Sequence, residues 1–188
     1  MLKVPAAPDE VSSHIAMKAY GGNGAVRLRA SETSGAQLLD RAIPGTPLTI
    51  LVGEGRDDEA TSIICDVVKN LHSALPPIGI PMIGSLRAAF DRYPQLTEQP
   101  IPSEFVSRAR AMFLELAQYQ GRRGLLNGDL NPDNVVFDTN RGWLAIDPKG
   151  IIGEPEYEFG AMLRNPVERP HLFANPLIVQ RRVEIISD

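Results

Sequence analysis

The sequence predicts an α+β fold in two unequal lobes, and three observations carry that prediction. Residues 1–44 hold one helical segment among short runs with strand-like alternation. After residue 45, two longer segments repeat apolar side chains at helical spacing. Further on, two short apolar runs are joined by a tight turn and carry acids at their open ends.

The elements follow in order. Leu2-Lys3-Val4 reads as a short strand stopped by Pro5. Pro8-Asp9-Glu10 opens a helix, with a proline and two acids near its N-terminus, and the helix runs to about Tyr20. Gly21-Gly22-Asn23-Gly24 ends it. Ala25 to Ala30 alternates as a strand, Ser31 to Gly35 is a hairpin turn, and Ala36 to Leu39 is the second strand. Pro44-Gly45-Thr46-Pro47 interrupts regular structure and marks a lobe boundary: a small lobe over 1–44 and a mostly helical one over 45–188. A helix starts at Asp57-Asp58-Glu59, with Ile63, Ile64, Val67, Val68 and Leu71 on one face. Pro76, Pro77 and Pro81 place a loop after it. A second helix, from the N-cap Ser103 to about Gln120, lines up Phe105, Ala109, Met112, Phe113, Leu116 and Ala117, a stripe read as core. Strands are expected at 124–126, 135–137 and 143–146, with a turn at Asn140-Arg141-Gly142.

Composition narrows the function. The chain has 188 residues and a net charge of −4, with 43% hydrophobic and 22% charged residues, an ordinary globular balance. An acidic chain with pI near 5.4 is a poor coat for nucleic acid. No apolar run reaches the ~20 residues of a membrane span, and the N-terminus lacks the ~7–15-residue apolar core of a signal peptide. A single cysteine, Cys65, fits a reducing cytoplasm, and the dispersed His14, His72 and His171 make no zinc pattern. Charge is uneven. Residues 129–158 hold seven acids and two bases, net −5, so the rest of the chain stands at +1. A divalent metal or a cationic substrate would each explain that concentration, as would a solvated acidic loop.

Spacing sharpens the choice. Asp129 and Asn134 lie five apart in a polar loop, and Asp147 follows the paired strand directly. A hairpin brings its open ends together, so these oxygen-bearing side chains converge. Such a set suits magnesium, which takes few protein oxygens plus phosphate and water. It also suits phosphoryl transfer, in which one aspartate handles the hydroxyl proton while Asn and Asp hold metal on nucleotide phosphates. The order Asp-x4-Asn, strand, turn, strand, Asp is that of the kinase catalytic and metal loops. An acidic hairpin with Asx turns is the structural alternative; the ordered set with apolar strands between favours the kinase reading.

The run Asn127-Gly-Asp-Leu-x-x-Asp-Asn134, then Gly142-Trp-Leu-Ala-Ile-Asp-Pro-Lys-Gly150, Gly153-Glu-Pro-x-Tyr157 and Leu163-Arg-Asn-Pro166, resembles the aminoglycoside/hydroxyurea antibiotic resistance kinases. The resemblance extends from about Leu2 to Val183 and implies a protein-kinase-like fold with a truncated N-lobe. It implies an ATP- and Mg2+-dependent phosphotransferase acting on a hydroxyl of a cationic small molecule, an aminoglycoside such as streptomycin. Asp129 matches the catalytic aspartate, Asn134 and Asp147 the magnesium ligands, and Lys3 the lysine on the α- and β-phosphates. Leu39, Asp40, Arg41 and Ala42 match the hinge that receives adenine through backbone groups. Lys149, Asp133, Glu154 and Glu156 are secondary candidates for phosphate or sugar contacts.

The sequence departs from the family pattern in places. Asn127 stands where the family has histidine, and Ile15 where a helix glutamate pairs with the strand lysine. Relative to the family, the strands that cover the phosphates and the last helices are absent. Two alternatives therefore stay open, a non-catalytic kinase remnant and a kinase of another small hydroxylated metabolite. The exposed edge of the first sheet implies a dimer contact.

Overall fold

β1 (Leu2–Lys3) pairs antiparallel with β3 (Gln37–Leu39), and β3 pairs with β2 (Leu28–Ser31), giving a first sheet ordered β1-β3-β2. The computed structural model describes residues 1–5, 12–118 and 121–188. The expected helix start at Pro8-Asp9-Glu10 and the expected helix end at Gln120 lie outside the described residues. The Met1 ammonium donates to the Leu39 carbonyl at 2.6 Å, and the Leu39 N–H donates to the Met1 carbonyl at 2.8 Å, which closes the sheet edge locally. Helix α1 (Ser13–Tyr20) covers this sheet with Ala16, Met17 and Tyr20 buried.

The strand expected from Ala25 begins late, at Leu28. Residues 24–26 are drawn away to the hairpin of the larger lobe instead. Ala145 N–H donates to the Gly24 carbonyl, and Val26 N–H donates to the Ala145 carbonyl. Gly24 makes the crossing feasible: its φ is +69°, and a Cβ there would sit 2.8 Å from the Asn70 Cβ.

Residues Pro44–Pro47, expected to interrupt regular structure, form strand β4. It pairs with β6 (Val135–Asp138), which pairs with β7 (Gly142–Ala145). The order β4-β6-β7 puts the prolines on an edge strand, where a missing N–H breaks no interior ladder. A register shift between Pro44 and Thr46 gives Gly45 a φ of +80° and lets the strand bend. Asp138 caps both ends of this corner. Its carboxylate accepts from the Ile43, Asn140 and Arg141 N–H groups, and these bonds, that of Ile43 foremost, hold it below the usual carboxylate range.

The larger lobe continues with α2 (Thr49–Gly53) and α3 (Asp57–Leu71). The expected apolar face of α3 is the core face: Ile64, Val67, Val68 and Leu71 are buried. α4 (Arg87–Arg92) and α5 (Ser103–Gln118) form a side layer, followed by β5 (Gly124–Leu126), which pairs with β8 (Ile151–Gly153). Three helices complete the chain, α6 (Phe159–Leu163), α7 (Pro170–Ala174) and α8 (Pro176–Ser187). α8 packs on α3 through Arg182, which is 1% exposed. Its guanidinium forks onto Asp57 at 2.9 and 2.7 Å and donates to the Met162 and Asn165 carbonyls.

One expected core stripe is not core. No described residue of α5 is buried, and Phe105, Met112 and Leu116 are 56%, 54% and 68% exposed. The helix rests on α4 and on the turn at Ile83–Leu86 through its neighbouring face, where Phe113 meets Phe90 with ring centroids 5.5 Å apart. Periodicity reports that a face is apolar; it does not report what covers that face. Among the described residues, no helix is long and apolar enough to cross a membrane.

Candidate active site

The site is built from the open end of the β6–β7 hairpin. The strands pair from Asp138↔Gly142 back to Val135↔Ala145, and Ile146 N–H extends the ladder by donating to the Asn134 carbonyl at 2.9 Å. Asn134 and Asp147 thus stand at the same end, one before the first paired residue and one just past the last. Asp147 has φ 55°, the one non-glycine residue with positive φ among the described residues. A carboxylate residue held in this sparsely populated region costs about 1–3 kcal/mol, and such strain concentrates at functional sites. Lys3, on β1 of the first sheet, places its Nζ 2.5 Å from Asp147 Oδ1. The expected phosphate lysine and an expected metal ligand therefore meet across the two sheets.

Asp129 lies in a loop braced by its own asparagines. Asn127 Oδ1 accepts from the Asp129 N–H at 3.1 Å. Asn131 Nδ2 and Asn134 Nδ2 both donate to the Asp129 carbonyl, at 3.0 and 2.8 Å. Asn131 Oδ1 accepts from the Asp133 N–H at 2.9 Å. The Asx-turn reading and the functional reading describe one object, because the turns position Asp129. Asn127, the departure from histidine, is fully buried, and its carbonyl accepts from the Lys149 and Gly150 N–H groups. It ties the Asp129 loop to the segment after Asp147.

A second brace was not legible as such in the sequence. Glu158 is 1% exposed, and its carboxylate accepts from the Asn127 N–H at 2.7 Å and the Gly128 N–H at 2.8 Å. His72 Nε2 lies 3.4 Å away from it. Two backbone donors just before Asp129 are thus fixed by one buried carboxylate. Glu158→Gln keeps the shape but leaves one oxygen for two donors. We expect it to lower unfolding stability by about 1–3 kcal/mol, read as a lower urea midpoint with unchanged m.

The Asp129 carboxylate faces Arg164, with Nη2 3.7 Å from Oδ1. Arg164 is largely exposed, so the pair is weak as a stabiliser and free to rearrange around a ligand. Beside it opens a cavity of about 910 Å³, lined by His14, Arg92, Gly128, Lys149, Tyr157 and Arg164 among others. Burial pushes the Tyr157 hydroxyl pKa up, against the opposing charge of Arg164.

The acidic window divides between structure and site. Asp138 and Glu158 cap backbone groups, Glu154 accepts from the Gly121 N–H, and Glu156 is exposed. Asp133 is exposed, and Asp129 and Asp147 stand in the loop and at the open end of the hairpin. Much of the −5 concentration thus has a backbone explanation, which removes it as a strong argument for a cationic ligand. Asn134 and Asp147 suit magnesium by donor type: Asn134 spends its Nδ2 on the Asp129 carbonyl, leaving an amide oxygen at the same end of the hairpin as the half-exposed Asp147 carboxylate. Among the described residues no group of three or more His, Cys, Asp or Glu gathers, so further ligands would be phosphate and water.

The expected hinge runs from Leu39, the last residue of β3, toward β4. Leu39 is buried with its backbone bonded to Met1, and the Asp40 N–H donates to the Arg27 carbonyl. The Asp40 side chain holds Arg29 in a two-pronged pair, which pulls its carboxyl pKa down. Arg41 is exposed and Ala42 buried. Gln37, across from Lys3 in the ladder, is 1% exposed with neither amide atom bonded among the described residues.

The family profile described as "Aminoglycoside/hydroxyurea antibiotic resistance kinase" matches residues 1–188. The chain is 33% identical over 166 residues to streptomycin 3''-kinase of Klebsiella pneumoniae, a match covering 88% of this chain and 60% of that protein. It is 28% identical over 178 residues to streptomycin 6-kinase of Streptomyces griseus, covering 93% and 57%. With hydroxyurea phosphotransferase of Kitasatospora aureofaciens it shares 31% over 169 residues, covering 84% and 48%. The chain spans about half to three-fifths of the length of these relatives. Among solved structures, a choline/ethanolamine kinase family protein from Mesorhizobium loti superimposes with TM-score 0.60 at 16% identity, covering 98% of this chain and 62% of that one. An aminoglycoside-3'-phosphotransferase of type VIII gives 0.60 at 15% identity, covering 94% and 70%. These likenesses show the fold, which is protein-kinase-like.

Proposed function

The chain belongs to the aminoglycoside/hydroxyurea antibiotic resistance kinase family, and from that premise we propose that it carries the core of an ATP-dependent phosphotransferase acting on a hydroxyl of an aminoglycoside, streptomycin first. The observation that carries this reading is the meeting of Lys3 and Asp147 at 2.5 Å, beside an Asn134 bonded to the Asp129 loop. Lysine, asparagine and aspartate, the residue types that phosphoryl transfer uses, come toward this corner from the first sheet, the β6–β7 hairpin and the loop before it, which supports the reading.

In this reading the nucleotide sits between residues 1–44 and residues 45–188, with adenine on hinge backbone groups at Arg41 and Ala42, since both backbone groups of Leu39 and the N–H of Asp40 are already bonded within the first sheet. Asn134 and Asp147 would hold magnesium, which supplies charge neutralisation on the phosphates. Lys3 steadies the phosphates when it leaves Asp147. Asp129 orients the acceptor hydroxyl and receives its proton, with the Arg164 guanidinium beside it. A reaction fed by ATP places the protein in the cytoplasm.

One observation favours a second acceptor class. Arg92, Lys149 and Arg164 line the cavity beside Gly128, which suits a small neutral hydroxylated acceptor better than a polycation. Hydroxyurea, named for one relative, stands for that class. Side-by-side assays with ATP, magnesium and either streptomycin or hydroxyurea separate the two. Phospho-streptomycin supports the first reading, and transfer to hydroxyurea alone supports the second. ATP bound without transfer to either rules out both acceptors.

A further inference from the structure

The α5 helix presents an apolar stripe that its own lobe leaves in solvent. Phe105, Ala109, Met112 and Leu116 follow one another at spacings of four, three and four residues, and all are exposed. That spacing is the a/d seam of a two-helix coiled coil, not the wider stripe of a core helix. The covered face lies beside it, where Phe113 meets Phe90 and Arg110 pairs with Asp91 at 3.0 Å. Beyond the seam, on the side away from that covered face, stand Arg108 and Glu115. Neither has an ion-pair partner among the described residues.

We propose that a second copy of this chain covers this seam, with the two α5 helices antiparallel about a dyad near residues 110 and 111. The register is self-complementary. Phe105 lies against the partner's Leu116, and Ala109 lies against the partner's Met112. The same symmetry brings Arg108 beside the partner's Glu115 and Glu115 beside the partner's Arg108, so two ion pairs flank the seam on its solvent side. A parallel pairing would turn the Arg108 and Glu115 side of one helix toward the partner's Phe113 side, which Phe90 already covers, and would leave both charges without an opposite charge across the seam. The seam from 105 to 116 is about 17 Å long at 1.5 Å per residue. This is a modest contact, and the dimer it makes is concentration-dependent. The edges of the first sheet are poorer seats for a second copy: β1 is two residues long, and β2 is four residues long and broken by a register shift. This inference is independent of the phosphotransferase reading.

Sedimentation equilibrium of the whole chain across micromolar concentrations tests it, with circular dichroism as a check that each variant folds. The wild type is expected to move from monomer to dimer. Met112→Glu is expected to raise the dimer dissociation constant by at least about tenfold. Arg108→Glu alone and Glu115→Arg alone are each expected to weaken the dimer, and the double reversal to restore it. In a Cys65→Ser background, Phe105→Cys mixed with Leu116→Cys is expected to give a cross-linked heterodimer, and neither alone a homodimer. A chain that stays monomeric throughout overturns the proposal. So does a dimer indifferent to Met112→Glu, or homodimer cross-links from the single-cysteine variants.

Discussion

Asp129→Asn is expected to lower kcat by about 10²–10⁴-fold, the usual contribution of a positioned general base, with nucleotide affinity nearly unchanged. The substitution is close to isosteric. The main-chain bonds that hold the loop, to Asn127, Asn131 and Asn134, do not use the Asp129 carboxylate. Stability should therefore hold while proton acceptance is lost. The carboxylate faces Arg164 at 3.7 Å, and replacing Asp129 frees that largely exposed guanidinium instead of stranding a buried charge. Single-turnover phosphorylation of the acceptor at saturating ATP isolates the chemical step. An unchanged single-turnover rate would assign the proton to another group.

Arg182→Leu is expected to have the largest effect on stability, a loss of about 3–5 kcal/mol. Arg182 is 1% exposed, forks onto Asp57 and donates to the Met162 and Asn165 carbonyls. Removing it leaves a largely buried carboxylate at the start of α3 and two carbonyls without their donor. The helix N-terminus recovers part of the carboxylate's cost, since an acid in the first turn is favoured there. The double variant Arg182→Leu/Asp57→Leu should then lose less than the single one, because no charge is stranded. Urea unfolding of both variants checks this. Arg182 also fixes residues on either side of Arg164, so the stability of α8 and the placement of the Asp129 neighbour are linked through one side chain.

The candidate site is more legible in the sequence than the residues that brace it. Asp129, Asn134 and Asp147 were legible because their spacing around an apolar hairpin is a local pattern, and the β6–β7 register carries it into space. Glu158 was visible as one acid in a run of acids. Its role depends on folding a residue 30 positions away back under Gly128, and no local pattern encodes that. Pro44–Pro47 was misread for a related reason. Proline argues against an interior strand, yet this strand is an edge, and edge or centre is decided by which strands arrive later in the chain. The α3 stripe became core because α8 and β7 pack against that helix. The α5 stripe, equally apolar by spacing, stayed exposed. Hydrophobic periodicity specifies an orientation only once a partner surface exists.

Calorimetric titration of ATP with magnesium, on the wild-type chain and on Asp147→Ala, tests the central claim most directly. Asp147 carries the positive φ, meets Lys3 and stands beside Asn134, so the phosphate and metal assignments both run through it. The account predicts magnesium-dependent binding by the wild type, abolished in Asp147→Ala while the fold persists by circular dichroism. Wild-type ATP binding that survives Asp147→Ala, or no binding at millimolar ATP with magnesium, would contradict it.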